Sequence, residues 1–185
     1  MLPPNNELER NFVRIPGKNY SVMKTEVTQK LYESIMGKNP SVFKGENNPV
    51  ENVSWYDAIE FCNALSEYLG YEPVYTRDGS SVTWNENANG FRLPTVEEWQ
   101  YAAKGGQSYR YASSDNLGSV GWYNGNSGKI SHPVAQKNPN IYGLYDMSGN
   151  VCEWCCDSLG GNGHWNIAYG RGDGRGFRIV RSTTN

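Results

Sequence analysis

The chain has 185 residues, 37% hydrophobic, 13% aromatic and 19% charged, with 21 glycines. That length supports a single domain over 1–185 that can bury a core without covalent staples, and so few charges beside so many aromatics exclude a disordered chain. Lys and Arg number 17 against 19 Asp and Glu, a net charge of -2; with no basic stripe, nucleic acid is not an expected partner, and no apolar run reaches the length of a membrane span.

In chain order, Phe12–Ile15 and Tyr20–Lys24 read as short strands around a Pro16-Gly17 turn. Val27, Leu31 and Ile35 recur every fourth residue, which predicts a helix over Val27–Met36 stopped by Gly37. Asn39–Val50 is loop by composition. Ser54 opens a second helix, with Asp57 placed for a capping box. Ala58, Phe61, Cys62, Leu65 and Leu69 form its apolar stripe, and Gly70 ends it. Val74–Arg77 and Val82–Asn85 predict a hairpin around Asp78-Gly79. Thr95 and Glu98 repeat the capping box for a third helix carrying Trp99, Ala102 and Ala103 to Gly105. After Gly106 helical periodicity is lost, and the last predicted strand is Gly176–Ser182.

Of the four cysteines, Cys152, Cys155 and Cys156 crowd together and Cys62 stands apart. This is not a spaced disulfide framework. Cys152 and Cys155 form one C-x-x-C, but no second pair follows and only His132 and His164 are at hand. The pattern favours buried thiols over zinc.

Several blocks resemble the formylglycine-generating-enzyme (sulfatase-modifying factor) family. They are Asn48-Pro49-Val50-Glu51-Asn52-Val53-Ser54-Trp55-Tyr56-Asp57-Ala58, the run from Phe91-Arg92-Leu93-Pro94 to Ala103, and His132-Pro133-Val134 with Gln136. Tyr142-Gly143-Leu144-Tyr145-Asp146-Met147-Ser148-Gly149-Asn150-Val151-Cys152-Glu153-Trp154 and the closing Gly176-Phe177-Arg178 complete the set, from about Met23 to Arg178. The resemblance implies a C-type-lectin-like fold of the formylglycine-generating type. That is an α+β architecture of two main helices, small twisted sheets and much ordered loop.

Function resides in sites rather than folds. For members that make formylglycine the resemblance implies a C-terminal cysteine pair that binds copper, and for iron-dependent relatives a three-histidine site. Between Asp157 and Asn185 this chain has no cysteine, and it has only two histidines in all. The expectation is a family fold without the family's oxidase chemistry, and hence no catalytic residue. The alternative is a catalytically altered enzyme of the family.

From Trp154 to Asn185 there is no Lys, Glu, Gln or Met, although the first 153 residues hold 29 of them. A Gly-rich loop explains part of this, since Gly, Asn and Asp fill turns for backbone reasons. A sharper explanation is that randomising the adenines of AAC codons yields Asn, Tyr, His, Asp, Ser, Ile, Leu, Gly, Ala or Arg but never those four or Trp. From Asp157 to Gly176 only Trp165 falls outside that set. The segment 157–176 thus resembles the variable region of diversity-generating-retroelement proteins, in which a reverse transcriptase rewrites the codons lining a ligand-binding face. The resemblance implies a binding protein that requires no cofactor. It would be exported and displayed on the bacterial cell surface, with its export or anchoring signal outside this chain, and would contact a protein or cell-surface ligand. Asn162, His164, Asn166, Tyr169, Arg171, Asp173 and Arg175 are the expected contacts, since Tyr and Arg anchor interfaces and Asn adapts its hydrogen bonds; the alternative is ordinary solvated loop. Trp165 reads as fixed scaffold, Phe177 and Ile179 as core, and Arg178 as a buried support.

The family resemblance also offers a calcium site. It would use the side chains of Asp146 and Glu153 and the carbonyls of Gly149 and Val151, an oxygen set suited to a hard cation. The alternative is that Asp146 caps a turn and Glu153 bonds backbone amides.

Overall fold

A computed structural model describes residues 8–157 and 174–183, together with the backbone of 165–166. Strands β1 (Phe12–Arg14) and β2 (Tyr20–Met23) pair antiparallel with Phe12 opposite Met23. Gly17, at φ 74°, makes the turn between them, in the left-handed region that glycine tolerates best. Helix α1 (Gln29–Met36) starts where the Thr28 hydroxyl accepts from the Leu31 amide and stops at left-handed Gly37. In helix α2 (Trp55–Tyr68) the capping box forms in both directions, at 3.0 Å each way between Ser54 and Asp57. It buries Ala58, Phe61, Cys62 and Leu65, as the apolar stripe predicts.

The hairpin β3 (Tyr75–Asp78) and β4 (Ser81–Trp84) turns at Gly79-Ser80, with Asp78 opposite Ser81, so its boundaries lie one residue from those expected. Strand β5 (Phe91–Arg92) precedes helix α3 (Val96–Lys104), which has the Thr95–Glu98 box and a left-handed Gly105 stop. A four-residue helix, α4 (Leu117–Val120), interrupts the stretch read as loop, with the Asn116 side chain accepting from the Gly118 amide. Strands β6 (Cys152–Trp154), β7 (Trp165–Asn166), β8 (Arg175–Gly176) and β9 (Val180–Ser182) close the chain.

The main sheet has the order β1-β2-β9-β5 and is antiparallel throughout. A second sheet has the order β7-β6-β8, antiparallel on one side of β6 and parallel on the other. The closing strand expected over Gly176–Ser182 is therefore two strands in two sheets. The cause is where the intervening carbonyls go. Phe177 accepts from the Val27 amide at 2.9 Å and Ile179 from the Met23 amide at 3.0 Å, so this stretch is held by the loop before α1 and the end of β2. Phe177, Arg178 and Ile179 are all fully buried there.

Alternation along the strands sorts the core into two clusters. Met23, Phe91 and Ile179 face a core with α1 and α2, where Phe61 stacks on Tyr32 at 5.4 Å and meets Phe177 edge-on at 5.3 Å. Tyr20, Val22 and Val180 face the other cluster, with Trp99 and Ala102 of α3 and with Leu144 and Met147. The architecture is α+β, with much of the chain in ordered loop.

Candidate functional site

The segment between Asp157 and Gly174 is clamped at both ends. On the entry side β6 is buried at every residue. The Trp154 indole donates to the Val53 carbonyl at 2.9 Å, and the Trp55 indole to the Cys155 carbonyl at 2.9 Å. The Cys156 amide bonds the Pro94 carbonyl at 2.9 Å. Both carboxylate oxygens of Asp157 accept from the Val96 amide, at 3.0 and 3.2 Å, at the positive end of α3. On the exit side the Arg175 carbonyl accepts from the Val53 amide at 3.4 Å. A β-carbon on Gly176 would lie 2.4 Å from the Val50 carbonyl oxygen, so only glycine lets β8 approach so closely. Both clamps thus converge on the Val50–Trp55 stretch that leads into α2.

Of the expected contacts, Arg175 lies in β8, half-buried, with its guanidinium 4.8 Å from the centre of the Trp154 ring. Asn166 lies in β7 opposite Glu153. Asn162, His164, Tyr169, Arg171 and Asp173 lie outside the described residues, as do the side chains of Asn166 and Trp165. Trp154 is buried.

A pocket of about 150 Å³ lies beside Gly174, lined also by Val42, Phe43, Glu51, Ser131, Asn150 and Val151. Its polar wall is fixed from behind. Asn150 accepts the His132 amide at 2.9 Å, and its side-chain amide donates to the His132 carbonyl at 3.1 Å and to Glu26 at 2.9 Å. Glu51 Oε1 accepts the amides of Val42 and Phe43. Sequence reading missed this pocket because Glu51 looked like one more residue of a family block.

Beneath the site lies a buried charge cluster. Arg178, fully buried, meets the 1%-exposed Glu153 through two bonds of 2.7 Å. Glu153 Oε2 also accepts from the Trp99 indole at 2.7 Å. Glu26 accepts the Val151 amide at 3.1 Å, and Asp146 Oδ2 accepts the Ala135 amide at 2.8 Å, while its Oδ1 has no partner among the described residues. Burial, reinforced by the other carboxylates, raises the Glu26 carboxyl well above its usual range, and burial likewise raises that of Asp146.

These contacts show what else engages the residues of the expected calcium set. Glu153 is committed to a guanidinium and an indole, and a dication beside Arg178 would meet a fixed positive charge. A β-carbon on Gly149 would lie 2.3 Å from the Trp122 carbonyl oxygen, and the Val151 amide donates to Glu26. Among the described residues no group of three or more His, Cys, Asp or Glu is arranged to hold a metal. Arg178 is the buried support expected, and its partner is Glu153.

All four cysteines are buried, and none is in a disulfide. Burial pushes every thiol up, that of Cys156 to about 12. Each is therefore held as the thiol, which is the weak form for metal binding and nucleophilic attack.

The fold is the C-type-lectin-like fold of the formylglycine-generating type. Residues 5–183 match the sulfatase-modifying factor enzyme 1-like domain, and the chain belongs to that family. The chain is 44% identical to chaperone protein LppX of Paenibacillus barcinonensis over 172 residues, covering 74% of this chain and 61% of that protein. It is 32% identical to the formylglycine-generating enzyme of Thermomonospora curvata over 136 residues, covering 65% of this chain and 37% of that one. The chain thus spans less than two thirds of the length of either relative. Among solved structures, Treponema denticola variable protein 1 is 30% identical and superposes with a TM-score of 0.77, covering 93% of this chain and 91% of the other. Among the described residues no helix is long and apolar enough to cross a membrane.

Proposed function

We propose that the chain is a non-enzymatic ligand-binding protein whose segment 157–176 is diversified by a retroelement to vary its specificity, and that it acts on the bacterial cell surface without a cofactor. The observation that carries this reading is the double clamp. A segment can change its side chains freely only if its ends are held by groups outside it. Here those groups are Val50, Val53, Trp55, Pro94 and Trp154, all in the fixed part of the chain. The composition of 157–176 and the likeness to a solved variable protein support the same reading. Asn162, His164, Asn166, Tyr169, Arg171, Asp173 and Arg175 are the proposed contacts. The Arg175 guanidinium lies over the Trp154 ring, which places it to support its neighbours as well as to make contact.

The decisive observation is genomic. A near-identical template copy of the 3′ end of the gene, differing only at adenines, is expected nearby; its absence would remove the retroelement from the reading. A second reading, binding of one fixed polypeptide partner, is favoured by the likeness to a protein named as a chaperone. The same search separates the two. An altered enzyme, the remaining alternative, is tested by turnover: the purified protein should not convert cysteine to formylglycine in a sulfatase-type peptide, with or without copper. Turnover abolished by replacing Cys155 or Cys156 would establish the enzyme instead.

A further inference from the structure

The pocket at the exit clamp contains a group that the fold only half uses. Glu51 is 2% exposed. Its Oε1 takes two backbone amides, from Val42 and Phe43, the latter at 2.9 Å. Its Oε2 lies 3.7 Å from the position a β-carbon on Gly174 would occupy, on the pocket side. Among the described residues no donor bonds that oxygen, and no Lys or Arg pairs with the carboxylate. A carboxylate this buried is costly unless a cation completes it. Val42, Phe43 and Val151 give the pocket apolar walls, and Ser131 and Asn150 add polar ones. Its volume, about 150 Å³, matches cavities that admit a benzene-sized guest.

We propose that this pocket binds an alkylammonium group, with the aliphatic stem against Val42, Phe43 and Val151 and the ammonium on Glu51 Oε2. A guanidinium is the poorer guest. Its bidentate mode needs two free carboxylate oxygens, and one of these is already filled by two amides. An ammonium is a point charge that one oxygen serves. The ligand class assigned here rests on the ligand-binding reading. The pocket is lined by residues outside 157–176 and by Gly174, which is none of the seven proposed contacts, so it is tested without touching those seven.

The experiment is a titration of the chain with n-butylammonium, followed by the backbone amide resonances of Val42 and Phe43, with n-butanol as the neutral isostere. The expected result is a saturable shift of both amides with the amine and none with the alcohol at equal concentration. Glu51→Gln keeps an oxygen for the two amides and loses the charge. It should melt like the parent and bind roughly tenfold more weakly, as for loss of one charged hydrogen bond. Should that variant not fold, Gly174→Ala serves. Its β-carbon would meet Glu51 at 3.6–3.8 Å, an ordinary contact, so it narrows the pocket without a clash and should weaken binding several-fold. A comparison with Nα-acetyl-lysine N-methylamide distinguishes the sources: equal binding assigns the pocket to a lysine side chain of a protein partner, and preference for the free amine assigns it to a small molecule. No saturable shift, an equal shift with butanol, or binding unchanged in the folded variants would overturn the proposal. None of these results would alter the tolerance of 157–176 to substitution, so the two readings fail separately.

Discussion

Arg178 illustrates how one buried residue sets a condition on its neighbours. Among the described residues it is the one cation within the cluster of Glu26, Asp146 and Glu153, and it bonds only Glu153 directly among those acids. Replacing it by Met should cost about 3–5 kcal/mol, because Glu153 would be left buried without its counter-ion; a denaturant midpoint unchanged by Arg178→Met would show that Glu153 needs no such partner. The acids themselves give a pH signature. Glu26 and Asp146 both have carboxyls raised above their ordinary values of 4.5 and 3.8, chiefly by burial. The folded state therefore holds protons that the unfolded chain has released. Their contribution to stability is complete below those ordinary values and is lost as pH rises through the raised ones. Asp146→Asn should flatten that decline. Asn keeps an acceptor for the Ala135 amide, puts a donor where Oδ1 is unpartnered, and tolerates the positive φ of 59° at this position. Melting temperatures from pH 4 to pH 9 test this, and a slope identical to the parent's would mean that Asp146 is not part of the effect.

At the scale of elements, β6 and β8 are short strands that hold their place through what lies behind them. Gly176→Ala should cost about 1–3 kcal/mol, the usual penalty of overpacking, because the Val50 carbonyl cannot leave without breaking the approach to α2. Asp157→Ala should cost roughly 0.5–1 kcal/mol through the lost acceptor at the start of α3, and should loosen the entry clamp. Trp99→Ala and Trp154→Ala should each cost about 3–5 kcal/mol. Both indoles are buried and both donate, to Glu153 and to the Val53 carbonyl. Urea denaturation measures all four, and a wild-type midpoint in either tryptophan variant would remove that residue from the core.

At the scale of the molecule, the proposed function requires a scaffold indifferent to its own binding face. Replacing Asn162, His164, Asn166, Tyr169, Arg171 and Asp173 within the AAC-encodable set should change stability by under about 0.5 kcal/mol per position. Arg175 should cost more than these, because its guanidinium lies over Trp154. Thermal melts of multiply substituted chains decide the point, and widespread unfolding would show that these residues hold the structure. Loss of binding on replacing Tyr169 or Arg171, once a partner is in hand, is expected from the energy such groups carry in interfaces.

The sequence by itself determined the three main helices. Their capping boxes at Ser54–Asp57 and Thr95–Glu98 and their glycine stops at 37 and 105 are local signals, complete within a few residues of chain. It determined the family too, through motif blocks spread along most of the chain. The strands β5, β6 and β8 were not legible, because two or three residues carry no period and their pairing partners lie far away in sequence. Nor was the fate of Glu153. As a string, Asp146 to Glu153 has the acids a cation would need. Only the tertiary structure brings Arg178 and Trp99 to the second acid and turns a set of metal donors into an ion pair. Tertiary structure likewise placed Asp157 and Gly176 in the frame, because a clamp is made by contacts across the fold and leaves no mark in the chain's own spacing.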